Sequence, residues 1–118
     1  MLSRRMKVMP QQKQIFGETH LILQIESGGI AEKEIEAELL SLITKHNPAY
    51  PFTSEHIQEL GRESFQKLYA QGPQLYQVQE RYINSNDSVS RLGGIYVPQR
   101  KREEVFKALR DIGYEINQ

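Results

Sequence analysis

No cysteine occurs in the 118 residues. That excludes a disulfide framework and a thiolate nucleophile, and it suits a reducing compartment. An excess of charge of either sign is also missing, since 15 Lys and Arg face 15 Asp and Glu. The whole-molecule basic field that drives non-specific DNA binding is therefore absent. No apolar run approaches the roughly 20 residues that span a bilayer, and no signal-type apolar stretch follows the early arginines. These absences predict a cytoplasmic protein that does not engage a membrane. Neither G-x-x-x-x-G-K-S/T nor G-x-G-x-x-G is present, so no nucleotide loop is announced.

The charge that is present is distributed unevenly. Met1 to Lys13 holds Arg4, Arg5, Lys7 and Lys13 and no acid, leaving 11 basic against 15 acidic residues in the remainder. With Pro10 and little periodicity, residues 1–14 read as a flexible basic tail, in which Arg4, Arg5 and Lys7 form a mobile arm. Residues 15–118 then form a single domain, long enough to bury one core.

Glu18 to Glu26 (ETHLILQIE) alternates Leu21, Leu23 and Ile25 with His20, Ile22 and Gln24, which predicts a strand. After Ser27, Gly28 and Gly29, the residues Ile35, Leu39, Leu42 and Ile43 recur at helical spacing, and Asn47-Pro48 ends that helix. Thr53 caps a second helix that Gly72-Pro73 stops. Ile57, Gly61, Ser64, Phe65 and Leu68 share one side of it, which favours an unbroken helix over a helix-turn-helix broken at Gly61. Leu75 to Ile83 alternates again, with Tyr76, Val78 and Tyr82 opposing Gln77, Gln79 and Arg81. NSNDSVS is a hairpin loop leading into RLGGIYV, where Gly93 and Gly94 mark a bulge or a close backbone approach. Pro98 opens a helix with Val105, Phe106, Leu109 and Ile112 as its apolar stripe, Gly113 closes it, and YEI is a last short strand.

This order predicts an α+β fold, the ferredoxin-like βαββαβ sandwich with a split, two-helix first crossover and a flexible basic N-terminal tail. The final unit, VPQRKREEVFKALRDIGYEI, is similar to the strand-helix-strand halves of small regulatory domains of the PII and ACT kind. The resemblance covers about a quarter of the chain and contains no ligand motif. It implies topology and no activity.

With the first and third strands drawn parallel at the centre of the sheet, their outgoing turns share one edge. Ser27, Gly28 and Gly29 then neighbour Arg100, Lys101 and Arg102, and two helix starts with three cations make an anion site. The opposing reading is a solvated corner, with the cations balanced by Glu32, Glu34, Glu103 and Glu104. The open sheet face is a second candidate, carrying His20, Gln24, Gln77, Gln79, Arg81 and Tyr96. It resembles the surface on which RNA-recognition domains stack bases, although only Tyr96 matches their aromatic pattern. On the alternative reading Ile22, Leu92 and Tyr96 are a subunit interface.

His20, His46 and His56 fall on different elements, so neither a metal shell nor a catalytic set is predicted, and no cofactor is expected. The expectation is a non-enzymatic binding or regulatory module, a homo-oligomer with a dimer as its first form, that takes nucleic acid or another phosphate-bearing partner on a basic edge. Its rivals are a protein-interaction or inhibitory module using the sheet face and the acidic helix, and a regulatory small-ligand domain.

Overall fold

Alternation begins earlier than expected. In the computed structural model, which describes residues 4–26, 32–81, 83–84 and 86–118, the first strand is β1 (Arg4–Ile15). The flexible tail expected over 1–14 is corrected over its described part. Met6 is fully buried and Val8 packs on the core, while Arg5 and Lys7 beside them are exposed. Apolar residues at a period of two make a strand once one face has a core to join. Pro10, which cannot donate to a ladder, lies in the irregularity between Val8 and Gln12. A two-residue turn, Phe16 (φ 46°) and Gly17 (φ 80°), leads into β2 (Glu18–Glu26). Positive φ at both positions matches the twist of a tight hairpin.

α1 (Glu32–His46) buries Ile35, Leu39, Leu42 and Ile43, with Glu32 and Glu34 in its first turn and Lys45 and His46 in its last, the charge order its dipole favours. The unbroken second helix is also corrected. Gly61 (φ 86°, ψ 146°) separates α2 (Ser54–Leu60), capped by the Thr53 hydroxyl, from α3 (Arg62–Tyr69). A residue at that φ cannot continue a right-handed helix, and glycine occupies it without a Cβ clash. After the break, Phe65 and Tyr69 lie edge-on to Phe52, at centroid distances of 6.4 and 5.5 Å. The chain continues through β3 (Gln74–Arg81), β4 (Ser88–Pro98), a 3-10 turn at Gln99–Lys101, α4 (Arg102–Asp111) and β5 (Tyr114–Asn117).

Among the described residues the result is a mixed α+β fold of one five-stranded sheet and four helices, with strand order β3-β4-β2-β1-β5. β2 pairs antiparallel with both β4 and β1, and β5 pairs parallel with β1. The expected parallel pairing of the first and third predicted strands, β2 and β4, is therefore wrong. A helical crossover returns the chain to β3 in the direction of β2, and the hairpin from β3 then reverses β4, which inserts antiparallel between them. The core is one cluster between the sheet and two helices. Met6, Leu21, Leu23, Ile95, Val97 and Tyr114 come from the strands, and Ile35, Leu39, Leu42, Val105, Phe106 and Leu109 from α1 and α4.

Arg4 ties three elements together. Its Nε and Nη2 donate to the two Glu38 carboxylate oxygens on α1, at 3.1 and 2.8 Å, and its strand pairs with β5 at Tyr114. The Tyr114 hydroxyl is buried nearby without a hydrogen-bond partner: it lies within electrostatic reach of Glu38 but does not meet hydrogen-bond geometry with it. Burial first, and then the Glu38 charge, hold its pKa above the usual value near 10. The folded chain keeps this proton where the unfolded chain loses it. The corresponding stabilisation is complete below about pH 10 and is lost as pH rises further. Tyr114→Phe is expected to leave urea stability at pH 7 unchanged or raise it by up to about 1 kcal/mol, because a buried unpaired hydroxyl is removed. It should also flatten the loss of stability above about pH 10. Urea titrations of both proteins across that range check this.

Candidate binding surface on the open sheet face

Because Met6, Leu21, Leu23, Ile95 and Val97 face the helices, the residues that alternate with them face away. One row across this open face reads Lys7, Gln24, Gly94 and Tyr76, and the next holds Ile22, Tyr96 and Gln74. Tyr76 and Tyr96 stack, with ring centroids 4.7 Å apart and planes 18° from parallel. The glycine pair makes this possible. At Gly93 the β4 strand bulges against Tyr76 and Gln77, and a Cβ there would lie 2.5 Å from Tyr76 Cε2 and 2.9 Å from Val78 Cγ1. A side chain at Gly94 would meet the Leu23 carbonyl. The Leu92 N–H, beside the bulge, donates to Glu32 Oε1 at 2.7 Å and so fixes the start of α1 at this end of the sheet. Burial, with Tyr96 adding to it, raises the pKa of the Tyr76 hydroxyl, so the Tyr76 ring stays neutral at physiological pH.

Of the residues expected on this face, Gln24 and Tyr96 are there. Gln77, Gln79 and Arg81 are exposed on the opposite side of β3, because Tyr76 and Val78 take the open side. His20 has the right alternation but is fully buried. Its Nδ1–H donates to the Glu18 carbonyl at 2.9 Å, the tautomer set by Gln74 Nε2, which approaches Nε2 at 3.5 Å and also donates to the Tyr69 carbonyl at 3.0 Å. His20 therefore anchors β2 to β3 and the end of α3, and is unavailable to a ligand. Leu92, expected at an interface, is in the core.

The strand ends that lead into the proposed anion pocket do not come together. Ser27, Gly28 and Gly29 lie outside the described residues, but the strand ends that bracket the two bends are placed. Glu26 pairs toward Arg5, at the end of the sheet where Leu92 meets Glu32, whereas Pro98 pairs with His20 at the other end. Six residue steps of β2, from His20 to Glu26, separate them, roughly 20 Å at strand rise. The cations are also engaged: Arg100 pairs with Glu18 at 3.0 Å, and Arg102 donates to Gln118 Oε1 at 2.6 Å with its guanidinium 5.5 Å from the Phe106 ring. Lys101 makes no ion pair among the described residues. A cleft of about 330 Å³ beside Arg100 is lined by Gly17, Glu18, Thr19 and Gln99, and its Glu18 carboxylate opposes an anion.

The former tail supplies what that corner lacks. Arg4 faces inward to Glu38, but Arg5 and Lys7 project from β1 onto the open face, and Lys13 follows opposite His20. Arg5 reaches Glu115 at 3.4 Å, whereas Lys7 and Lys13 have no ion pair among the described residues. Lys13 and Tyr76 were missed as site residues. Their signal was available in the Met6–Val8 alternation and in the glycine pair, which leaves room for an aromatic ring. Among the described residues, no three His, Asp or Glu side chains converge as metal ligands. No protein-family model, no curated protein and no solved structure matches the chain.

Gly93→Ala places a methyl against the Tyr76 ring, the movable end of a flexible side chain, so the ring should swing off Tyr96 while the fold survives. Near-ultraviolet circular dichroism is expected to lose the tyrosine signal of the stacked pair, with the far-ultraviolet spectrum unchanged.

Proposed function

We propose that the chain is a non-enzymatic, cytoplasmic binding module that takes single-stranded nucleic acid on its open sheet face. We read its architecture as the ferredoxin-like plan, formed by β2, β3, β4 and β5, with β1 inserted between the first and last of these strands. The observation that carries the reading is that one face holds both the Tyr76–Tyr96 stack and the two cations of β1 that make no ion pair among the described residues, Lys7 in the row of Tyr76 on the far side of β2 and β4, and Lys13 further along β1. A flat aromatic platform accepts any base, and a neighbouring line of cations follows the phosphates without reading sequence. The role first given to Arg100, Lys101 and Arg102 thus passes to Lys7 and Lys13, with Arg5 at the rim.

Ile22 and Val78 flank the tyrosines and favour a second reading, a protein partner seated on the same face. Fluorescence anisotropy with labelled single-stranded oligonucleotides at low salt separates the two. Two or three phosphate contacts give a slope of log affinity against log salt of about −1.4 to −2. Tyr96→Ala is expected to weaken binding by about 5- to 150-fold, the worth of one stacked base. The pair Lys7→Glu and Lys13→Glu should abolish binding, and Arg100→Glu should leave it unchanged. Absence of oligonucleotide binding by the wild type, or indifference to the lysine reversals, sinks the nucleic-acid reading.

A further inference from the structure

β3 is an edge of the sheet, and among the described residues no backbone group pairs with its outer side. Edges of this kind are normally blunted by brevity, proline, lysine or a bulge. β5, the other edge, is blunted in that way, being four residues long. β3 is not: it runs eight residues, QLYQVQER, without proline or lysine, and the extra residue at its irregularity belongs to β4. Its only charges, Glu80 and Arg81, lie together at one end.

We propose that two copies of the chain join antiparallel through β3, with Val78 of each copy facing Val78 of the other on a twofold axis. In this register Gln77 faces Gln79, Tyr76 faces Glu80 and Leu75 faces Arg81, so no like charges meet. The exposed glutamine amides both donate and accept across the seam, and the backbones exchange roughly six to eight hydrogen bonds. Sliding the pairing back by two residues sets Glu80 against Gln74, whose amide is buried and committed to the Tyr69 carbonyl. Sliding it toward the hairpin tip shortens the overlap and then brings Glu80 against Glu80. The chosen register keeps the helices of both copies on one side of a continuous sheet and places the two tyrosine stacks on the other. The pairing stands independently of the nucleic-acid reading, since it uses the edge of the sheet and not its face.

Sedimentation velocity at tens of micromolar should give twice the 13.7 kDa chain mass. Val78→Cys supplies a single thiol in a chain that has none. Facing Cα atoms in an antiparallel pair lie about 4.5–5.5 Å apart, within disulfide reach. Mild oxidation is therefore expected to convert most of Val78→Cys to a covalent dimer, with Glu115→Cys on the opposite edge remaining monomeric on a non-reducing gel. Val78→Lys should dissociate the wild-type dimer by setting two ammonium groups face to face. A monomeric wild type overturns the proposal. So does equal cross-linking of the two cysteine variants, or a dimer that Tyr96→Ala dissociates and Val78→Cys does not cross-link.

Discussion

The backbone pairing of β1 between β2 and β5 is the constraint on which the rest of the molecule depends. Among the described residues β5 has no other strand to pair with, and Met6 on β1 is among the most deeply buried side chains. Removing β1 would leave four residues of β5 without a ladder, free Glu38 from Arg4 and open the core beside Tyr114. Side-chain alternation follows directly from this pairing. Once Met6 and Val8 are fixed against the helices, Arg5 and Lys7 have only the open face to occupy.

That alternation joins two properties that look unrelated along the chain, a basic beginning and a glycine pair near the end. The basic residues become a strand beside the centre of the sheet, and the glycines leave room for two tyrosine rings to stack on its open face. Charge balance on the remainder of the face keeps this arrangement local. Arg5 is met by Glu115 and Arg91 by Glu80 at 2.7 Å, which leaves Lys7 and Lys13 as its uncompensated cations among the described residues. A chain of zero net charge can thus present a small basic surface without a global field.

Much of the fold was legible where one side of an element meets a core. The alternation through Leu21 and Leu23, the stripe of α1 and the final helix and strand each carry a period that burial enforces. β1 was obscured because Pro10 interrupts its period after only Met6 and Val8. The phase of β3 was misread for a different reason: its outer half is solvated on both sides, so polarity no longer reports which way a side chain points. Gly61 shared the side of an apparently continuous helix, and helical periodicity carries no information about φ. The directions of β2 and β4, and the burial of His20 beneath Gln74, depend on how the connections route the chain in space. Those relations, and with them the location of the candidate site, could not be read from local spacing.

Amide hydrogen exchange resolved by residue tests the strand assignment of β1 most directly. If β1 is the inserted strand, the laddered amides among Met6, Lys7 and Val8 are expected to exchange only through global unfolding, with free energies equal to that of Leu23 on β2. Exchange of all three amides at the rate of an unstructured peptide while Leu23 stays protected would contradict the account, returning the basic segment to a tail and removing Lys7 and Lys13 from the open face.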